Sequence, residues 1–201
     1  MRGRARTAIL CAAISLLSVG CASRDAFGGS RQAAVDWGLP RGFTPTDMPA
    51  GQFRLLTMVR KTRSADILMV YIEGDGAAWP TPWRPPRDPT PRMPVALTLA
   101  AADPAPAVAY VGRPCQYLEA DALAACDSAY WTGRRYALET VVAIDATVTQ
   151  LKTSTGAVRI VLVGYSGGGV IAALLAARRW DVDRLITVAA PLAVKAWAAW
   201  H

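Results

Sequence analysis

The chain has 201 residues with 22 lysines and arginines, 15 acidic residues and one histidine, which give a formal net charge of +7. This length suits a single domain with a sizeable core. Because the basic residues form no cluster interleaved with aromatic side chains, we expect no nucleic-acid binding. One histidine leaves too few ligands for a metal site, and we expect neither a metal nor another cofactor.

The first 21 residues predict an export signal. Three arginines lie among the first six residues, and residues 8–19 form an apolar stretch too short to span a membrane as a stable helix. The stretch ends in LSVGC at residues 17–21, which resembles a bacterial lipobox with Cys21 as the lipid-bearing residue. Ser18 departs from that pattern, because leucine is usual at its position.

The lipobox resemblance implies a protein of the bacterial cell envelope, held by its lipid anchor alone on the periplasmic side of the outer membrane. A plain secretory peptide is the alternative, and it would give a periplasmic or secreted protein. Residues 22–51 show glycine, proline and serine with little periodicity, which predicts a flexible tether. The folded domain is expected at residues 52–201.

Hydrophobic patterning predicts alternating strands and helices. Short aliphatic runs indicate strands at residues 52–61, 67–72, 107–112, 160–163 and 185–189. Helices are expected at residues 94–102, 136–152, 170–179 and 191–200. This alternation predicts an α/β fold with a doubly wound, mostly parallel sheet.

Two stretches between these elements have an unusual composition. Glu73-Gly74-Asp75-Gly76 directly follows the strand at 67–72, and residues 77–93 are dense in proline, tryptophan and arginine. The longer stretch predicts a loop over the sheet, which is either a lip beside a substrate site or plain decoration. Its tryptophans, with Trp131, either line an apolar pocket or belong to the core.

Cleavage of the signal segment would remove Cys11, and Cys21 is the expected lipid site. Cys115 and Cys126 then remain. Two remaining cysteines in an exported protein predict one disulfide. This bond would pin the loop after the strand at 107–112.

The segment 160–179 carries the strongest functional signal. An aliphatic strand leads into Gly164-Tyr165-Ser166-Gly167-Gly168, and an alanine- and leucine-rich helix follows. This matches the G-x-S-x-G nucleophile elbow, in which a serine sits at a strained strand-to-helix turn. The chain passes so close to itself there that residues 164 and 168 must be small. The helix N-terminus then directs its free N–H groups at the oxyanion.

A dinucleotide-binding loop is the sharper alternative for this segment, because residues 167–172 also fit G-x-G-x-x-A. That motif requires an acidic residue about twenty positions further on, where the chain has Ala189 and Ala190. A phosphate-binding P-loop is excluded because no Gly-Lys-Ser/Thr follows. The nucleophile elbow is the better interpretation.

With its surroundings, this segment resembles the α/β-hydrolase superfamily, specifically bacterial exported serine hydrolases, over residues 52–200. The resemblance implies hydrolysis of an ester, amide or thioester in a small-molecule or acyl substrate, through an acyl-Ser166 intermediate. It also implies an oxyanion hole formed by the N–H of Gly167 and by the loop after an early strand. That loop corresponds to residues 73–76, so the backbone at Asp75 or Gly76 is the second expected donor. A glycine turn with a solvated aspartate is the alternative.

The acid and base of the expected triad are not evident. In this superfamily they follow the nucleophile on loops after further strands, and the residues beyond Ser166 suffice for one strand and one helix. Asp181 and Asp183 precede the strand at 185–189, which places them at the wrong end of the sheet. His201 and Lys195 are the remaining candidate bases, but a terminal histidine is usually frayed and the lysine belongs to no known motif.

Three interpretations therefore stay open. The chain is a C-terminally truncated serine hydrolase that is inactive by itself, a non-catalytic lipoprotein that binds a ligand or envelope partner, or one part of a site that another polypeptide completes. In each case the sheet is incomplete at its C-terminal side. An open sheet edge invites pairing, so we expect an oligomeric or poorly soluble protein.

Overall fold

The computed structural model of the chain describes residues 27–77, 79–81 and 83–193. The predicted signal segment with Cys21, the residues Lys195 and His201, and most of the predicted last helix lie outside the described residues. Within the described part of the chain, no helix has both the length and the apolar character needed to cross a bilayer.

The described residues form a central mixed sheet of six strands in the order β1-β2-β4-β3-β5-β6. The strands β3, β4, β5 and β6 pair in parallel, whereas β2 runs antiparallel to both β1 and β4. The mostly parallel sheet is therefore confirmed. The strands are β1 (Thr44–Ala50), β2 (Phe53–Lys61), β3 (Ile67–Ile72), β4 (Ala107–Val111), β5 (Arg159–Tyr165) and β6 (Val182–Val188).

Helices cover both faces of this sheet. The described part of the chain forms five α-helices, α1 (Arg31–Gly38), α2 (Val95–Ala102), α3 (Ala120–Ala124), α4 (Leu138–Thr155) and α5 (Gly167–Ala176), and short 3-10 turns at Leu39–Arg41 and Ser128–Trp131. The apolar residues of α4 and α5 pack in one core, and those of α1 and α2 pack in a second core on the opposite face. This is the doubly wound arrangement that the sequence predicts.

The prediction of a flexible tether over residues 22–51 is wrong for its described part. Ser30 caps the start of α1, and its hydroxyl accepts the N–H of Ala33 at 3.1 Å. Arg31 binds both carboxylate oxygens of Asp47, at 3.2 and 2.9 Å, and so ties α1 to β1. The strand escaped prediction because its sequence, TPTDMPA, contains two prolines, which a sheet tolerates only at an edge. The folded domain thus begins before residue 52.

Other element boundaries agree more closely. α5 begins at Gly167, three residues before its predicted start, and β6 begins at Val182 rather than residue 185. The predicted disulfide joins Cys115 to Cys126, whose Cα atoms are 5.9 Å apart. α3 and the 3-10 turn at 128–131 lie in the region that the sequence left without structure.

β6 forms the outer edge of the described sheet. Its only strand partner among the described residues is β5, and Leu185 and Ile186 remain 38% and 37% exposed. Self-association through this edge stays a prediction.

Candidate active site

Ser166 lies at the turn between β5 and α5. Its backbone has φ 50° and ψ −124°, in a region that a residue with a side chain rarely adopts. The strand ends at Tyr165 and the helix starts at Gly167, so strand, serine and helix follow without a spacer. This is the local structure that a nucleophile elbow requires.

The two glycines of the motif are explained by backbone contacts. A Cβ at Gly164 would lie 2.4 Å from the carbonyl oxygen of Gly168, and a Cβ at Gly168 would lie 2.3 Å from that of Ile72. Both distances are far below van der Waals contact, and both neighbours are backbone atoms that cannot rotate away. Any larger residue at either position would force the backbone of the serine turn or of its neighbours to move.

The surroundings of Ser166 hold its backbone and leave its hydroxyl without a partner among the described residues. The N–H of Ser166 donates to the carbonyl of Val188 at 2.8 Å, and its own carbonyl accepts the N–H of Gly169 at 2.9 Å. Its hydroxyl makes no hydrogen bond to any residue in the described ranges. Gly167 heads α5, where the N–H groups of the first turn have no acceptor inside the helix and present partial positive charge.

The predicted oxyanion turn lies directly beside this serine. A Cβ at Gly74 would be 3.3 Å from the Cβ of Ser166, and a Cβ at Gly167 would be only 2.0 Å from a carboxylate oxygen of Asp75. Gly76 has φ 95° and faces the carbonyl of Pro89. The structure thus brings residues 74–76 against the elbow, while the donor role of the N–H groups at Asp75 and Gly76 stays a prediction.

Two arginines and a tyrosine surround the carboxylate of Asp75. Arg113 lies 3.4 Å and Arg135 lies 3.6 Å from it, and the hydroxyl of Tyr136 donates to it at 3.3 Å. The side chain of Arg113 is only 4% exposed, and this burial lowers the pKa of its guanidinium although Asp75 opposes the shift. Two cationic side chains thus lie against one carboxylate next to the serine turn.

A buried polar network supports the same turn from below. Glu73 accepts the N–H of Gly74 at 2.9 Å and the hydroxyl of Tyr110 at 3.2 Å, and Tyr110 is 2.8 Å from the hydroxyl of Tyr117. Burial raises the pKa of Glu73, and the hydrogen bonds to its carboxylate oppose the rise. The amide of Gln116 donates to the carbonyl of Gly74 at 3.1 Å. These contacts fix the loop whose backbone approaches Ser166.

Four residues that build this region were not among the predicted site residues: Arg113, Gln116, Arg135 and Tyr136. Arg113 and Gln116 had a usable signal, since they follow the carboxyl end of β4, where parallel sheets place their sites. Arg135 and Tyr136 had none, because they precede α4 and reach the site only through the fold.

The predicted lip at residues 77–93 borders a cavity of about 560 Å³, lined in part by Ala77, Trp79 and Arg92. Trp131 is instead buried, and its indole N–H donates to the carbonyl of Pro86 at 3.0 Å. Trp79 thus lines a cavity and Trp131 belongs to the interior.

The structure places neither acid candidate near Ser166. Asp181 precedes β6 and binds Lys152 at 2.5 Å and Arg179 at 2.7 Å, at the opposite end of the sheet. The ranges that the structure describes contain no histidine, and no group of three His, Cys, Asp or Glu side chains there could share a metal ion.

Together, the mixed sheet, the helices on both of its faces and the strained serine at the end of a central strand define an α/β-hydrolase type of fold. No family model matches the chain, and no curated protein does. Among solved structures, the chain is similar to an α/β serine hydrolase homologue from Coxiella burnetii, with 15% identity and a TM-score of 0.49 over 78% of this chain.

Two further solved structures show comparable likeness. A proline iminopeptidase-related protein from Thermus thermophilus is 18% identical with a TM-score of 0.48 over 74% of this chain. An esterase from Pyrococcus furiosus is 14% identical with a TM-score of 0.46 over 72% of it. The chain spans 67% of the Coxiella protein and about half of the other two, at 45% and 51%. Since these likenesses are remote, the fold assignment depends on this chain's own sheet and elbow.

Proposed function

We propose that Ser166 is the nucleophile of an acyl-transfer reaction that hydrolyses an ester, amide or thioester through an acyl-Ser166 intermediate. The observation that carries the proposal is the strained backbone of this serine, with φ 50° and ψ −124° between a central strand and a helix. Such strain persists only where the surrounding structure enforces it, and it is typical of functional positions.

The neighbouring groups suit the charge that this reaction develops. When the serine oxygen adds to a carbonyl carbon, the carbonyl oxygen becomes an oxyanion, which fixed N–H groups stabilise most strongly in a dry site. Gly167 at the start of α5 would donate one N–H, and the backbone at Asp75 or Gly76 would donate the second. The guanidinium groups of Arg113 and Arg135, which lie against Asp75, would favour the same anion.

A serine hydroxyl is a weak nucleophile until a base accepts its proton. The described residues offer no imidazole for this role, and His201 and Lys195 lie outside the described ranges. We propose that the base comes from outside the described part of the chain or from another polypeptide, and that the described site alone turns over slowly.

The test is the rate at which a fluorophosphonate labels Ser166, with and without added imidazole. Imidazole can stand in for a missing base, so a formed elbow and oxyanion hole should give labelling that imidazole accelerates. Ser166→Ala should abolish labelling, and Ser128→Ala is the matched control at an exposed serine remote from the elbow. A folded chain that stays unlabelled even with imidazole would contradict the proposal.

The second candidate function is non-catalytic binding of a ligand or envelope partner. The absence of an imidazole among the described residues favours it. A chain that never labels at Ser166, yet keeps a partner bound through purification, would support binding over hydrolysis.

The cellular placement is also a proposal. We propose that residues 1–21 direct export and that Cys21 carries the lipid, with a soluble periplasmic or secreted protein as the alternative. The intact mass of the protein from its source membrane distinguishes the two, because acyl chains add mass only to the lipoprotein.

A further inference from the structure

The segment 77–93 presents an exposed surface of aromatic and cationic side chains. We call it the Trp–Arg patch and define it as Trp79, Trp83, Arg84, Arg87 and Arg92. It is a short basic cluster next to tryptophans, so the expectation that the chain has no such cluster is wrong for this segment. The side chain of Trp83 is 89% exposed and that of Trp79 is 42% exposed, and Met93 beside the patch is 71% exposed. Large apolar side chains concentrated on one exposed segment typically mark a surface that another phase or molecule covers.

The patch also carries unbalanced positive charge. None of its three arginines forms an ion pair with a residue in the described ranges. The only acidic residue of the segment, Asp88, accepts the backbone N–H of Thr90 at 2.7 Å. The segment therefore has a surplus of two positive charges, which favours a negatively charged partner.

The patch is fixed to the domain beneath it. The indole N–H of Trp131 donates to the carbonyl of Pro86 at 3.0 Å, and the N–H of Gly28 donates to the carbonyl of Arg92 at 3.1 Å. The segment has six prolines in its sequence, and the five at described positions 80, 85, 86, 89 and 91 further restrict its backbone. The exposure of Trp83 is thus built into the fold, and binding through it requires little ordering.

We propose that the Trp–Arg patch docks on an anionic lipid surface. Indole rings favour the boundary between headgroups and acyl chains, because one part of the ring is apolar and its N–H is polar. Arginines next to such rings reach lipid phosphates, and each basic side chain near an anionic membrane adds about 1 kcal/mol to binding. Exposed tryptophans together with unpaired arginines match both requirements.

The predicted anchor enters the molecule beside this patch. Cys21 is seven residues before Gly28, so the chain between them spans at most about 25 Å. Gly28 is hydrogen-bonded to Arg92 of the patch. A lipid on Cys21 would therefore hold the patch within reach of the membrane. This step depends on the predicted lipidation, whereas the exposure and the charge of the patch do not.

Docking would also orient the serine turn. The segment 77–93, which carries the patch, follows Gly76 directly, and Gly74 and Asp75 lie against Ser166 and Gly167. The same end of the sheet would thus face the lipid. The proposal concerns binding, so it stands or falls separately from the reactivity of Ser166.

The test is partition of the exported chain onto vesicles that contain phosphatidylglycerol or only phosphatidylcholine. All variants carry Cys21→Ser, so that no acyl chain contributes. Trp83→Ala should weaken partition onto anionic vesicles about tenfold, because the variant no longer buries an indole ring in the lipid when it binds. Replacing the three arginines of the patch by glutamine should remove the preference for anionic vesicles, with about fivefold lost per arginine.

Trp180→Ala is the matched control. Trp180 is 90% exposed but precedes β6, at the other end of the sheet. We expect it to leave partition unchanged, and thermal melting should show that all variants fold. Equal effects of Trp83→Ala and Trp180→Ala, or equal binding to both kinds of vesicle, would overturn the proposal. Binding of soluble polyphosphate without binding of vesicles would also overturn it, because the patch would then recognise a soluble anion.

Discussion

Gly168→Ala tests the physical basis of the serine turn. The added Cβ would lie 2.3 Å from the carbonyl oxygen of Ile72 and 2.4 Å from that of Glu73, both at the end of the central strand β3. A relaxed contact between carbon and oxygen is about 3.3 Å or longer, so backbone must move by about 1 Å. Overpacking of this kind costs about 1–3 kcal/mol or more.

An opposing effect makes the prediction sharper. Gly168 lies within α5, where alanine is favoured over glycine by about 1 kcal/mol. Because the clash involves backbone on both sides, we expect it to dominate, with a net loss of about 2 kcal/mol in the free energy of unfolding. The measurement is urea unfolding at equilibrium, together with the labelling rate of Ser166, which should fall as the serine turn is displaced.

Gly133→Ala is the matched control, because a Cβ at Gly133 would meet no atom within 4 Å. Its free energy of unfolding should stay within about 0.5 kcal/mol of the original chain. If Gly168→Ala is equally harmless, or stabilising as its helical position alone would suggest, the close approach of α5 to β3 is not what fixes the serine turn.

Three further predictions concern buried charge and the disulfide. Lys152 and Arg179 outweigh the effect of burial and lower the pKa of Asp181 to about 2, so its contribution to stability is present above about pH 4 and lost as the pH falls towards 2. Asp181→Asn should remove roughly 2 kcal/mol of that acid dependence, as measured by urea unfolding between pH 5 and 2. Burial raises the pKa of Glu73, so the stability that its protonated carboxyl contributes is lost as the pH rises. Glu73→Gln should therefore flatten the decline in the free energy of unfolding above about pH 4. Reducing the bond between Cys115 and Cys126 should cost about 3 kcal/mol in unfolding free energy, as measured with and without dithiothreitol.

These predictions have distinct failure outcomes. Parallel loss of stability in acid by the original chain and Asp181→Asn would show that another group controls the transition. A decline above about pH 4 that is equally steep in Glu73→Gln and in the original chain would show that Glu73 does not cause it. Unchanged stability on reduction would mean that the disulfide constrains no structure that unfolding releases.

The serine turn was predictable because the residues that form it are close together in the sequence. Gly164, Ser166 and Gly168 have a spacing that one turn imposes, and aliphatic residues on both sides reveal the flanking strand and helix. β3, β4 and β5 were equally clear, since strands buried on both faces are continuous apolar runs. For the same reason, the parallel sheet could be expected from the alternation of elements.

The first strand and the surroundings of Asp75 were not predictable in this way. Among the described strands β1 pairs only with β2, so its sequence tolerates Pro45 and Pro49 and shows no apolar run. Arg113 and Arg135 meet Asp75 across long sequence separations, and only the folded sheet brings them together. Local patterns report local structure, whereas these contacts depend on topology.

The central claim is that Ser166 forms an acyl intermediate, and one measurement addresses it directly. The chain is mixed with an activated ester in the presence of imidazole, quenched in acid, digested, and searched by mass spectrometry for the acyl group. The account predicts the acyl mass on the peptide that contains Ser166 and its disappearance in Ser166→Ala. Hydrolysis of the ester without any acylated Ser166, or the same acylated peptides in Ser166→Ala, would contradict it.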